Sequence, residues 1–179
     1  AVYTRKSTSD SGHYESETLE YLADKSSTPV YYIPNEGEWR CGSADLAIIS
    51  SFHRIFRRSH LSNFHDSINI HPSLLPSYKG ATPISWMIQH GEQIVGLTAH
   101  LVDEAVDSGA VLFQRSILNP YLADSQLRRV LSFLSRDIVN DIIGHYPNYV
   151  PLAPLPRNES YFPKRSEGDS LINVAEIQS

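Results

Sequence analysis

The nearly continuous apolar run Ala44–Ser50 (ADLAIIS) constrains the fold most. A short run of this kind is typical of a strand buried on both faces, as in parallel sheets. Other short β-rich runs alternate with segments of helical periodicity, and this alternation predicts an α/β sheet. The loop 103–109 indicates that the strands on either side of it are antiparallel. The other predicted strands are Val2–Thr4, Pro29–Ile33, Ser67–Ile70, Gly96–Val102 and Ala110–Ser116, and the predicted helices are His13–Lys25, Pro83–His90 and Leu122–His145.

Composition narrows the class of protein. The chain has 179 residues, a length that suits one domain, and we expect residues 1–147 to form it ahead of a Pro-rich tail, 148–179. The single cysteine, Cys41, excludes an internal disulfide, and the net charge of −5 argues against a large nucleic-acid footprint. No apolar run approaches the ~20 residues of a membrane span. We therefore expect a cytoplasmic protein that does not bind membranes.

A first cluster of chemically useful residues lies at a predicted strand end, in the run Asn69-Ile70-His71-Pro72-Ser73-Leu74-Leu75-Pro76. Alternate residues of a strand share a face, so Asn69 and His71 point the same way. The amide can donate a hydrogen bond to a developing oxyanion, and the imidazole can move a proton near neutral pH. The same pattern also fits a strand end with a buried structural histidine.

A second cluster contains His100 and the loop from Asp103 to Gly109. A carboxylate at Asp107 brought against His71 would stabilise the protonated imidazole and raise its pKa. The alternative is that Asp107-Ser108-Gly109 is an ordinary turn sequence and that His100 is structural.

Taken together, the Asn-x-His-Pro-Ser-Leu-Leu-Pro order, the following glycine and the Asp-x-Gly loop resemble the 10-formyltetrahydrofolate-dependent formyltransferase family. The resemblance covers residues 1–116 and resumes at 161–173. It implies an α/β fold with a Rossmann-like, mostly parallel sheet flanked by helices, whose first βα unit would precede Ala1. It also implies 10-formyltetrahydrofolate as co-substrate and no metal.

The resemblance assigns roles to individual residues. It makes Asn69, His71 and Asp107 the catalytic triad. The loops after the buried strand and before Asp107 would contact the folate, through Phe52, Arg54, Ile55, Phe56, Asp103, Glu104 and Val106. The acceptor substrate would be contacted by Ser73, Tyr78, Gly80 and His100.

The resemblance leaves several acceptors open. Residues 1–25 carry three basic and five acidic side chains, and such a segment would repel tRNA phosphates. The tail from Glu159 to Arg165 resembles the linker to a C-terminal domain that sugar and tRNA formyltransferases have. We therefore expect a small primary amine, an amino sugar nucleotide, as acceptor, and we expect tRNA not to be the partner. Methionyl-tRNA and glycinamide ribonucleotide are the alternatives, and a homodimer is possible.

Two interpretations from other classes also stay open. His71, His100 and Asp107 have the composition of a two-histidine, one-carboxylate metal site, as in a metal-dependent hydrolase. The other interpretation is a non-catalytic folate-binding module derived from a formyltransferase. Loss of activity on chelation would favour the hydrolase, and folate affinity without turnover would favour the module.

Overall fold

The computed structural model describes residues 1–4, 19–52, 54–119, 121–153 and 158–170, and the chain divides into two units. The first unit comprises Ala1–Ala47 and Ser51–Asp66, and the second comprises Ile48–Ser50 and Ser67–Ser179. The residues of both sequence clusters belong to the second unit.

The first unit contains a two-stranded parallel sheet of β1 (Val2–Thr4) and β2 (Val30–Tyr32). Two short helices, α1 (Leu19–Lys25) and α2 (Arg58–Leu61), belong to it. Helix α1 ends at Lys25 as predicted, whereas its predicted first turn, 13–18, lies outside the described residues. The buried Trp39 ring stacks on His60 at a centroid distance of 4.1 Å and contacts Phe52 and Phe56, so aromatic packing forms the core here.

The four-stranded sheet consists of β3 (Ala44–Ser50), β4 (Phe64–His71), β6 (Ile94–Leu101) and β7 (Val111–Leu118). Its strand order is β3-β4-β6-β7, and β3 and β4 contribute their last residues to the second unit. Strand β6 is antiparallel to both of its neighbours, as the loop 103–109 predicted for β6 and β7. Asn69 lies opposite His100 and His71 opposite Thr98, so this register brings the two sequence clusters together.

Two further helices contact each other, and the second of them packs against this sheet. Helix α3 (Pro83–Gln89) begins at a proline, which suits the first helical turn, and α4 (Asp124–His145) is the longest helix. Helix α4 packs on β6, β7 and α3. Its inner face has helical spacing and is fully or almost fully buried, at Leu127, Leu131, Ile138 and Ile142. The predicted helices 83–90 and 122–145 are therefore confirmed to within two residues.

A short parallel pair joins the tail to the loop after β4. Strand β5 (Lys79–Gly80) pairs with β8 (Tyr161–Phe162), and a 3-10 turn, Glu167–Ser170, follows. This pairing spans about 80 residues of sequence, so no local pattern could have predicted it.

One prediction about the sheet is wrong. Strand β3 is not buried on both faces, since its residues are exposed or half-buried and Ile48 is 37% exposed. Strand β3 lies at one edge of the four-stranded sheet, whereas α4 packs on β6 and β7 at the other edge. Helix α4 therefore covers those two strands and leaves β3 exposed. Among the described residues, no helix is both long and apolar enough to cross a membrane.

Candidate active site

Four polar side chains converge where β4 and β6 end in the second unit. Strand β4 supplies Asn69 and His71 on one face, β6 supplies His100, and the following loop supplies Asp107. The alternation of side chains along β4 predicted that Asn69 and His71 share a face. The antiparallel register then places His100 beside Asn69, and the β6–β7 loop carries Asp107 back to both histidines.

The amide of Asn69 donates toward two members of this cluster. Its Nδ2 lies 3.2 Å from Nε2 of His100 and 3.4 Å from Oδ1 of Asp107. Both distances are at the long end for hydrogen bonds. A substrate oxygen at this point can therefore compete for one of the amide hydrogens, as an oxyanion-stabilising donor requires.

His71 is buried, and its two ring nitrogens have different partners. Nε2 lies 2.8 Å from the Tyr78 carbonyl oxygen, which only accepts, so Nε2 carries a proton. Nδ1 lies 3.5 Å from Oδ2 of Asp107. In the neutral imidazole, Nδ1 therefore holds a lone pair beside the carboxylate.

Burial lowers the pKa of His71, and this effect outweighs Asp107 and the Tyr78 carbonyl, which raise that pKa. The net pKa lies below the ordinary value of 6.5. The predicted effect of Asp107, which raises the pKa of His71, is therefore present, but desolvation of the buried ring is the larger effect and sets the net direction. Near neutral pH, His71 is a proton acceptor through Nδ1.

Asp107 stays ionised although it is mostly buried. Burial alone would raise the pKa of this carboxyl, but His100, His71 and the Gly80 N–H together hold its pKa below the usual value. The Gly80 N–H donates to Oδ2 at 2.8 Å. The backbone of Asp107 has a φ of 50°, a left-handed conformation that Asp tolerates better than most residues. The turn sequence thus holds a charged carboxylate against His71.

His100 is a fourth member of the cluster. Its Nδ1 lies 2.8 Å from the Leu101 carbonyl oxygen, and its Nε2 lies 3.2 Å from Nδ2 of Asn69 and 3.6 Å from Oδ1 of Asp107. The ring is 2% exposed. This placement supports the structural interpretation of His100, whereas acceptor binding by His100 stays a prediction.

The other predicted acceptor-binding residues lie in the turn after His71. Ser73 is fully buried, and its hydroxyl donates to the Ser77 carbonyl at 2.7 Å, so it closes the turn. The Tyr78 ring is also buried, with its hydroxyl donating to Glu92 at 2.7 Å. Gly80 supplies the N–H that holds Asp107. Ser73 and Gly80 thus hold the turn and the Asp107 carboxylate by hydrogen bonds, and the Tyr78 side chain is bonded to Glu92. Substrate contact by these three residues stays a prediction.

The predicted folate-binding residues fall into two groups. Those of the second unit, Asp103, Glu104 and Val106, are exposed on the loop that leads to Asp107. Those of the first unit are Phe52 and Phe56 in the aromatic cluster, the exposed Ile55, and Arg54, whose guanidinium donates to the carbonyls of Pro34 and Gly37. Arg54 and Ile55 also line a cavity of about 880 Å³ within that unit. Folate contact by either group stays a prediction.

Sequence reasoning missed two residues that shape this site. Thr98 accepts from the Leu75 N–H at 3.0 Å and donates to the Ser73 carbonyl at 2.7 Å, so it fixes the turn after His71. Its position two residues before His100 in β6 predicts a common face with His100, and this pattern could have indicated Thr98. Lys79 reaches the Asp107 loop, and no sequence pattern indicated that.

In the described part of the chain, no group of three or more His, Cys, Asp or Glu residues has the geometry to hold a metal ion.

Comparison with known proteins gives a family match over the site. A family model described as formyl transferase matches residues 30–129, more than half of the chain. This range includes Asn69, His71, His100 and Asp107.

Individual relatives agree with that match. The methionyl-tRNA formyltransferase of Thermodesulfovibrio yellowstonii is 32% identical, over 72% of this chain and 43% of its own. The mitochondrial methionyl-tRNA formyltransferase of Rattus norvegicus is 30% identical, over 90% of this chain and 42% of its own. The chain thus spans less than half the length of these relatives.

A solved structure supports the fold. WlaRD, a sugar 3N-formyl transferase crystallised in the presence of dTdp and 5-N-Formyl-THF, superposes with a TM-score of 0.64 at 23% identity. The superposition covers 82% of this chain and 53% of that one. At this identity the likeness concerns the fold, and it confirms the predicted α/β formyltransferase architecture.

Proposed function

We propose, because this chain belongs to the formyl transferase family, that it transfers a formyl group from 10-formyltetrahydrofolate to a primary amine. The observation that carries this proposal is the contact of His71 Nδ1 with the ionised Asp107, next to the Asn69 amide. A neutral base, a carboxylate that stabilises its protonated form and an amide donor are the groups that acyl transfer to an amine needs.

In the proposed mechanism the acceptor amine attacks the formyl carbon, and the carbonyl oxygen becomes an oxyanion. The Asn69 amide donates to that oxyanion. His71 Nδ1 takes the proton that the attacking nitrogen loses, and the resulting imidazolium pairs with Asp107. His71 then returns the proton to N10 of the folate as the carbon–N10 bond breaks, so the proton count balances.

We propose methionyl-tRNA as the acceptor. The relatives described above carry that name at 30% and 32% identity, and one of them matches over 90% of this chain. This choice differs from the amino sugar expected from the sequence.

The amino sugar nucleotide remains a second candidate because of one observation. Residues 1–25 carry five acidic and three basic side chains, and a protein that binds tRNA must neutralise phosphates.

A panel of acceptors tests the proposal. The protein is incubated with 10-formyltetrahydrofolate and methionyl-tRNA, an amino sugar nucleotide or glycinamide ribonucleotide, and tetrahydrofolate release is followed. We expect release only with methionyl-tRNA, and a formylated amine in the product by mass spectrometry. Release with the amino sugar alone would overturn the acceptor while leaving formyl transfer intact. Folate binding without turnover on any acceptor would overturn the proposed activity.

A further inference from the structure

Lys79 lies almost buried in β5, and its ammonium joins two separate segments. Nζ donates to Oγ of Ser108 at 2.9 Å and to Oε1 of Glu159 at 2.7 Å. Ser108 follows Asp107 in the loop, and Glu159 belongs to the tail just before β8. The residue is 9% exposed, although a lysine is rarely buried to this degree unless it is paired.

The bond from Lys79 determines what the Ser108 hydroxyl does. An ammonium only donates, so Ser108 Oγ accepts from Lys79 and keeps its own hydrogen. That hydrogen is donated to the Val106 carbonyl at 3.1 Å. Val106 and Ser108 flank Asp107, whose φ is 50°. The chain of bonds from Lys79 through Ser108 to Val106 therefore spans the one left-handed residue of the loop segment 106–108.

The neighbouring residue in β5 holds the carboxylate itself. The Gly80 N–H donates to Asp107 Oδ2 at 2.8 Å, so successive residues of β5 bind the backbone turn and the side chain of Asp107. Strand β5 is held in turn by β8. The Lys79 N–H donates to the Ser160 carbonyl at 2.8 Å, and the Ala81 N–H donates to the Phe162 carbonyl at 3.1 Å.

We propose that Lys79 is a positioning residue that, supported by Glu159 of the tail, holds the 106–108 turn so that the Asp107 carboxylate faces His71. The proposal rests on the proposed formyl transfer and adds to it a residue that does not contact the reacting atoms. Burial and the neighbouring His100 lower the pKa of His71, whereas Asp107 and, to a smaller extent, the Tyr78 carbonyl raise it. A loosened turn therefore weakens catalysis and lowers the apparent pKa of His71 further.

Substitution of Lys79 by Met tests the proposal, since Met keeps the apolar stem and removes the donor. Both partners of the ammonium are exposed, so the loss leaves no buried polar group unpaired. We expect kcat for formyl transfer to fall about 10- to 100-fold with little change in KM, the scale of effect that a misplaced group produces. We also expect the acidic limb of the pH profile of kcat/KM to move to lower pH. Lys79→Arg, which keeps a cationic donor, recovers most of the loss, and Lys164→Met, an exposed lysine of the same tail, matches wild type.

The outcomes separate this inference from the proposed function. If the wild-type protein transfers no formyl group, the proposed function itself is wrong. If the wild-type protein is active and Lys79→Met keeps the wild-type kcat, the positioning role is wrong. The positioning role is also wrong if Lys79→Met has lower activity and a lower melting temperature but an unchanged pH profile. That combination is the one expected of a lysine that only stabilises the fold. Should Lys79→Met fail to fold, Ser108→Ala is measured in the same way, with the same expected shift of the acidic limb.

Discussion

The two ring nitrogens of His71 have different partners, a backbone carbonyl at Nε2 and the Asp107 carboxylate at Nδ1. Nε2 is committed to the Tyr78 carbonyl at 2.8 Å, so the tautomer of the neutral ring is determined by the backbone. Nδ1 then holds the lone pair toward Asp107. The same burial that lowers the pKa of His71 keeps this lone pair available near neutral pH.

A pH prediction follows at this scale. Because the pKa of His71 lies below 6.5, protonation of His71 should reduce kcat/KM only as the pH drops through that lowered pKa. Asp107→Asn removes the carboxylate that raises the His71 pKa, so the acidic limb should move to still lower pH while the plateau rate falls. Steady-state rates between pH 5 and pH 8 measure both effects. A His71 imidazole that titrates above pH 6.5 in the wild-type protein, followed by NMR of its ring protons, would contradict this assignment.

At the scale of elements, the β5–β8 pair supports the site from the tail. Gly80 has a φ of +96°, and a Cβ added there would lie 2.3 Å from the Phe162 carbonyl oxygen. Neither the backbone conformation nor the approach of β8 leaves room for a side chain. The N–H that holds Asp107 thus comes from a position that only glycine can occupy.

Gly80→Ala should therefore lower the free energy of unfolding by more than about 2 kcal/mol, through left-handed strain together with the clash. It should also reduce turnover, because the Gly80 N–H moves away from Asp107. Gly91→Ala is the matched control, since Gly91 also has a positive φ, +64°, but no neighbour near its added Cβ. That variant should lose only about 1 kcal/mol. Urea denaturation compares the two, and equal losses would show that β8 does not restrict Gly80.

Local sequence patterns predicted which segments form helices and strands better than they predicted how these segments pack. The alternation along Asn69 and His71 gave their common face, and the helical spacing of Leu127 to Ile142 gave the buried face of α4. The exposed edge position of β3 depends on which strands neighbour it, and the β5–β8 pair joins distant residues. Such properties arise from tertiary packing, which a short window of sequence does not contain.

At the scale of the whole molecule, the proposed chemistry is concentrated in the second unit. That unit contains the polar cluster, the loop that carries Asp107 and the tail strand that supports β5. The predicted folate-binding loop from Phe52 to Phe56 belongs to the first unit. The sequence thus predicted which side chains meet in the polar cluster, and their catalytic roles stay a proposal, whereas the direction of the His71 pKa shift depends on burial by the folded chain.

Turnover of Asp107→Ala tests the central claim most directly, with Asp137→Ala, an exposed aspartate of α4, as its control. The rate of tetrahydrofolate release in the presence of 10-formyltetrahydrofolate and the amine acceptor is compared at pH 7, and thermal unfolding verifies the fold of each variant. If the carboxylate stabilises the proton that His71 Nδ1 receives, Asp107→Ala loses about 10²- to 10⁴-fold in rate, the usual contribution of proton transfer. Asp137→Ala keeps the wild-type rate. A folded Asp107→Ala variant that turns over at the wild-type rate would contradict the account.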